Sequence, residues 1–160
     1  MSYSQVKGVI GKVASVAYLT TGSSLKMHNM ELNDLAAPSD CRYPNSGVIV
    51  GQLASLIHIS HSSFSNNNCT YVYSDRTPVE IQHSTLTNGL LNSYVNVVGS
   101  ALLIENSVFA NSTKKSTAFG RGVKCVSCTQ VSISESTFVN LYGQKGGAIY
   151  IDKSYQGQLY

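Results

Sequence analysis

A chain of 160 residues can bury a substantial core in one domain, yet only 12% of it is Asp, Glu, Lys or Arg, about half the usual charged share. The formal net charge of +3 is dispersed, with Lys114-Lys115 the one adjacent basic pair, which excludes a nucleic-acid surface built on a basic stripe. No run of the sequence approaches the ~20 apolar residues that a membrane helix needs.

In chain order, residues 1–23 hold two apolar, β-prone stretches, Val9-Ile10-Gly11-Lys12-Val13 and Val16-Ala17-Tyr18-Leu19, and read as a degenerate first coil. Then begins a pattern that recurs five times, apolar-x-apolar-x-x-Ser-x-Phe/Leu-x-Asn. Its first copy is Leu25, Met27, Met30, Leu32, Asp34, which lacks the Ser and the Asn. An inserted loop, 36–46, carries two prolines and Cys41, and Gly47-Val48-Ile49-Val50 leads into the second copy, Ile57, Ile59, Ser62, Phe64, Asn66. Tyr71 and Tyr73 alternate as strand residues do ahead of the third, Val79, Ile81, Ser84, Leu86, Asn88. The stretch from Leu91 to Val98 reads as the return strand before the fourth, Leu102, Ile104, Ser107, Phe109, Asn111. A polar, basic inserted loop at 112–121 and the strand Gly122-Val123-Lys124-Cys125 precede the fifth, Val131, Ile133, Ser136, Phe138, Asn140. Gly146-Gly147-Ala148-Ile149-Tyr150-Ile151 opens an incomplete last coil over 146–160.

Successive copies begin 32, 22, 23 and 29 residues apart, at Leu25, Ile57, Val79, Leu102 and Val131, a self-similarity that signals a solenoid. Each copy opens with a two-residue alternation, which sends its β-branched side chains to one face of a strand. The inward phase then slips by one, so that Ser62 and Phe64 share the inner side with Ile57 and Ile59. That slip requires a bend at His61 and at its equivalents Asn29, His83, Asn106 and Glu135. The Asn after the aromatic suits a turn, where it adopts unusual backbone angles. Stacked coil on coil, Asn66, Asn88, Asn111 and Asn140 are expected to form an amide ladder, each donating to the next. Ser62, Ser84, Ser107 and Ser136 form a second column, and Phe64, Leu86, Phe109 and Phe138 a third. The expected fold is an all-β parallel β-helix, one domain over 1–160, with about six to seven coils and three short strands per coil. A β-sandwich also uses many short strands but does not repeat side-chain identity at matched positions.

Ser136-x-Phe138-x-Asn140 followed by Gly146-Gly147-Ala148-Ile149 resembles the repeats of polymorphic outer membrane proteins, and residues 24 to 152 more broadly resemble the right-handed parallel β-helix proteins of the pectin-lyase-like superfamily. The resemblance implies a right-handed coil and a role as a stalk or adhesin at a cell surface. Superfamily members that cut polysaccharides use clustered acids on adjacent coils, which here reduces to Glu80 and Glu105 on neighbouring outward positions. Nothing like the Gly-His-Gly of polygalacturonases or the Asp-rich clusters of lyases is present.

The N-terminus lacks the charged-then-apolar build of a signal peptide, which by itself reads as a cytosolic chain. Against that stand two glycosylation sequons, Asn68-Cys69-Thr70 and Asn111-Ser112-Thr113. Asn68 is expected to be the better acceptor, because Asn111 belongs to the ladder. The four cysteines, Cys41, Cys69, Cys125 and Cys128, suit structural disulfides of an exported solenoid or buried free thiols, and an inter-coil bridge between Cys41 and Cys69 fits their placement. Cys125-Val-Ser-Cys128 also has the spacing of a redox motif or half a zinc site, although it lies in strand surroundings and has no second C-x-x-C. His61 and His83 occupy one bend on successive coils, where stacked imidazoles respond to pH or bind a transition metal, or simply serve as polar bend residues.

These features lead to the expectation of a non-enzymatic structural module of a secreted or cell-surface protein, without cofactor, acting as rigid spacer, adhesin segment or filament subunit. Its partners would be similar β-helix coils stacked head to tail, with surface glycans as a further partner. No amphipathic helix covers either end, and uncovered edges recruit strands. A carbohydrate-binding or polysaccharide-degrading β-helix and an intracellular scaffold of the same fold are the two alternatives.

Overall fold

A computed structural model describes residues 4–7, 14–35, 47–90, 92–112, 119–153 and 157–159. Among them the chain forms strands only: β1 (Ser4–Lys7), β2 (Ala14–Leu19), β3 (Ser24–His28), β4 (Met30–Asn33), β5 (Gly47–Gln52), β6 (Leu56–Ser60), β7 (Ser63–Ser65), β8 (Val72–Asp75), β9 (Val79–Gln82), β10 (Thr85–Thr87), β11 (Val95–Val98), β12 (Ala101–Glu105), β13 (Val108–Ala110), β14 (Val123–Val126), β15 (Gln130–Ser134), β16 (Thr137–Val139), β17 (Ile149–Asp152) and β18 (Gly157–Leu159). Every third strand joins the same sheet, and all pairings are parallel. In each turn the chain passes through a leading sheet (β2, β5, β8, β11, β14, β17), a middle sheet (β3, β6, β9, β12, β15, β18) and a trailing sheet (β1, β4, β7, β10, β13, β16). This is a parallel β-solenoid.

About four turns, β5 to β16, are regular, fewer than the six to seven coils expected from the sequence. The expectation counted the degenerate first coil and the incomplete last coil along with the regular ones. At one end β2 meets β5 across a register shift between Ala14 and Ala17; at the other, β18 pairs with β15 over only Val131↔Gly157 to Ile133↔Leu159. The first stretch of the expected degenerate coil, Val9 to Val13, the whole of loop 36–46 with Cys41, and 113–118 of the second loop lie outside the described residues.

Each turn is bent at three corners, and each corner is a single residue with φ near the left-handed value. Between the middle and trailing strands these are Asn29, His61, His83, Asn106 and Glu135; after the trailing strand, Asp34, Asn66, Asn88, Asn111 and Asn140; between the leading and middle strands, Leu53, Arg76, Gly99, Ser127 and Lys153. A left-handed residue reverses the pleat, which is why Ile57, Ile59, Ser62 and Phe64 are all buried although their parity changes at His61. The corner N–H groups continue the inter-turn ladder, His61 donating to Gln82 O at 3.1 Å and Arg76 to Val98 O at 2.8 Å. Left-handed backbone costs a non-glycine residue energy, and Asn tolerates it best; the histidines, Glu135 and Leu53 are held there by the hydrogen bonds of both flanking strands.

The interior is a set of columns. Leu32, Phe64, Leu86, Phe109 and Phe138 stand in register through the trailing sheet, and the Phe109 and Phe138 rings stack at 4.8 Å. Ser62, Ser84, Ser107 and Ser136 form the column beside them, and their role is specific. Each hydroxyl donates to the carbonyl two residues earlier, at 2.8, 2.7, 2.8 and 2.7 Å. Each also accepts the backbone N–H of its counterpart one turn before, from Met30, Ser62, Ser84 and Ser107 respectively, at 3.1 Å in every case. The bend pulls these N–H groups out of reach of the next turn's carbonyl, and the hydroxyl fills the gap. A residue needs a short side chain that both donates and accepts to do this, which is Ser.

Candidate functional site

The bend between the middle and trailing sheets leaves a groove of about 510 Å³ lined by His28, Asn29, Met30, Glu31, His61, Ser62, Ser63, His83 and Thr85. Its floor is set by in-register pairing, with Glu31, Ser63 and Thr85 on successive trailing strands. Its rim is a row of imidazoles. His61 and His83, at left-handed corners of successive turns, stack with ring centroids 4.8 Å apart and an interplanar angle of 25°. His28 is one residue before its corner, yet its ring meets His61 edge-on at 5.0 Å, and its Nδ1 lies 3.0 Å from Ser60 Oγ. The sequence places His61 and His83 together; it places His28 in a different outward column, with Ser60 and Gln82. The signal for its inclusion was its position next to the Asn29 corner.

The fourth histidine of the chain is adjacent, on the middle sheet: His58 Nδ1 lies 2.9 Å from Glu80 Oε2, its register partner. Glu105 Oε2 accepts from Gln82 Nε2 at 3.2 Å. The carboxylate pair expected from Glu80 and Glu105 is therefore divided between different partners, because Glu105 is in register with Gln82 and Glu80 with Leu103. Ser62, next to His61, has its hydroxyl engaged as donor and acceptor in the serine column, which takes it out of consideration as a nucleophile. Stacked imidazoles present their nitrogens side by side rather than converging. Among the described residues no group of three or more His, Cys, Asp or Glu side chains is placed to hold a metal ion.

The amide ladder needs correction. Asn66, Asn111 and Asn140 are exposed and Asn88 half-buried, and one rung is made, from Asn140 Nδ2 to Asn111 Oδ1 at 3.1 Å. At two of these corners the backbone N–H already pairs with the next turn, Asn88 N with Ala110 O at 3.2 Å and Asn111 N with Val139 O at 3.1 Å, which leaves the side chain free to point outward. The buried amide is Asn67, whose Oδ1 accepts from Leu35 N at 2.8 Å. The sequence singles out Asn66 by its place in the repeat and Asn68 by its sequon, and nothing in it marks Asn67 as the buried one. The ground for preferring Asn68 as glycan acceptor also falls, since Asn111 faces solvent while Asn68 is half-buried.

Cys125 and Cys128 are disulfide-bonded across the Ser127 corner, with Cα atoms 5.9 Å apart. Both are buried. Two turns earlier the equivalent pair, Ser74 and Thr77, is tied by a hydrogen bond from Ser74 Oγ to Thr77 O. The C-x-x-C thus replaces a polar corner clip by a covalent one. Cys69 is buried and also disulfide-bonded; Cys41 lies outside the described residues.

Sequence reasoning missed a second site, inside the return from trailing to leading sheet. Phe64, Tyr71 and Tyr94 stack at 5.8 and 4.8 Å, and the fully buried Arg121 follows them. Its Nη2 donates to Gly89 O at 2.7 Å, while Nε and Nη1 have no hydrogen-bond partner. Burial lowers the guanidinium's pKa below its usual range, with Tyr94 and Tyr71 opposing. Burial pushes both phenols up, and each hydroxyl donates to a carbonyl, Tyr71 to Thr87 and Tyr94 to Ala110. No helix among the described residues is long and apolar enough to cross a membrane. Comparisons with protein-family profiles, with curated proteins and with solved structures give no match to this chain.

Proposed function

We propose that this chain is a non-enzymatic structural module of a secreted or cell-surface β-solenoid, acting as a rigid spacer, adhesin segment or head-to-tail filament subunit. The observation that carries the reading is the serine column, which repeats the same pair of hydrogen bonds from Met30 to Ser136 and joins successive turns at a point where the strands alone do not. A stack so joined resists bending, as a spacer must. The likeness of Ser136 to Ile149 to polymorphic outer membrane protein repeats, and the right-handed pectin-lyase-like coil it implies, belong to the same proposal. Disulfides at Cys69 and at Cys125–Cys128 favour an oxidising compartment, and glycans at Asn68 or Asn111 would accompany export.

Negative-stain microscopy and intact mass of material purified from its native source test the proposal together. Rods or filaments whose axial repeat matches one subunit's stack of turns, ~4.8 Å apart, and a glycan mass increment, are expected. Compact monodisperse particles of unmodified mass would overturn both the filament and the export readings, and would favour an intracellular scaffold. Polysaccharide cleavage lost on Glu80→Gln would overturn the non-enzymatic reading.

A further inference from the structure

The histidine groove combines three properties that the structural role does not need. It is roomy, its imidazoles are exposed, and all three occupy successive turns at 5.0 and 4.8 Å between rings. Histidine is the side chain whose charge changes between pH 5 and 8. Neutral rings stack without penalty, but after proton uptake the same geometry sets like charges at van der Waals range along the solenoid axis. Each imidazolium then offers two N–H donors and no acceptor.

We propose that the groove is an acid-gated oxyanion site: protonated His28, His61 and His83 bind a phosphate or sulfate group, free or carried as an ester, with Asn29, Ser63 and Thr85 supplying further hydrogen bonds. The bound anion relieves the repulsion between the imidazoliums, so proton and anion uptake strengthen each other by the same factor. Neighbouring charges leave the site cationic in acid. From β4, Glu31 lines the groove but is already engaged. From β3, Lys26 adds a positive charge. On β6 and β9, His58 and Glu80 satisfy each other. On β12, Glu105 is held by Gln82, and Glu135 is separated from His83 by the Asn106 corner. Ser60 holds Nδ1 of His28, which turns Nε2 to the ligand.

Sodium sulfate titrated against the folded chain, with sodium chloride at matched ionic strength as control and the histidine ring resonances as readout, tests this. At pH 5.5 sulfate is expected to shift His28, His61 and His83 saturably and to leave His58 unmoved. At pH 7.5 the affinity should be at least about tenfold weaker, since a neutral imidazole offers one N–H donor and no charge to the anion. His61→Asn, which places at the corner the residue that Asn29 and Asn106 already supply on other turns, should keep the fold and lose saturation. Chloride shifts equal to those of sulfate, sulfate affinity equal at the two pH values, or unchanged binding by His61→Asn would each overturn the proposal. A monosaccharide sulfate ester in place of inorganic sulfate separates the sources. Tighter binding of the ester assigns the group to a glycan and equal affinity assigns it to the free anion, and either result supports the site.

Discussion

Between the middle and trailing strands each turn uses one or two residues, a left-handed corner and, in four turns, a serine; between the trailing and leading strands the connection runs from six residues (66–71) to thirteen (34–46). The short bend is closed by hydrogen bonds that each turn repeats. The long return is closed by whatever fills it, Tyr71 and Tyr94 stacked in two turns and Arg121 in the next. Where geometry is local, one side chain answers it every time; where the chain must find its way back, packing accepts several answers at different cost. Arg121 is the costly one, a buried guanidinium with two unpaired nitrogens.

Substitutions can break or sharpen that contrast. The largest effect should come from Phe109→Asp, which places a charge at a fully buried position of the interior column; loss of the folded state, more than about 4 kcal/mol, is expected by chemical denaturation. Next, Ser84→Ala removes the acceptor of Ser62 N–H and should cost about 1–3 kcal/mol. Ser93→Ala, which loses a hydroxyl bond to Phe119 O in the return, should cost less, and equal costs would erase the distinction between repeated and improvised contacts. Replacing the covalent clip by its hydrogen-bonded counterpart, Cys125→Ser with Cys128→Thr, should lower stability by about 2 kcal/mol, the small value that a three-residue separation implies.

Alkaline titration probes the return together with Tyr73 of β8, where burial also raises the phenol's pKa. Tyr71 and Tyr94 have their pKa raised by burial, so the folded chain holds phenolic protons that the unfolded chain releases. That contribution is complete below about pH 10, the unfolded value, and is lost as pH rises above it. Thermal melts between pH 9 and 11.5 should show this decline, and Tyr94→Phe should flatten it. A slope unchanged by Tyr94→Phe would mean that the decline comes from other groups. The smallest effect is expected from Glu105→Gln on the outer face, less than about 0.5 kcal/mol, because its partner Gln82 still finds an amide oxygen.

Much of the solenoid was legible because its repeat is written in residues that each do one local thing. Ile57 and Ile59 gave the strand, His61 the bend, Ser62 the inward column beside the core and Phe64 the core, whereas the bonds that Ser62 makes across the bend show only in the structure. The leading strands β5, β14 and β17 showed through their glycine starts at Gly47, Gly122 and Gly146. What failed depended on distance. The outward turn of Asn88 and Asn111 follows from bonds their backbones make to the next turn, which no spacing reveals. The approach of His28 to His61 depends on a ring rotation, and the burial of Arg121 on a fold-back from a polar, basic loop whose composition suggests exposure.

The serine column has one more property. In every rung the amide belongs to the earlier turn and the hydroxyl to the later one, so its dipoles all lean the same way. The array is vectorial. Cooperative polarisation along such a chain makes addition beyond Ser136 and addition before Met30 inequivalent, and any assembly that prolongs the column inherits a growing end and a resting end.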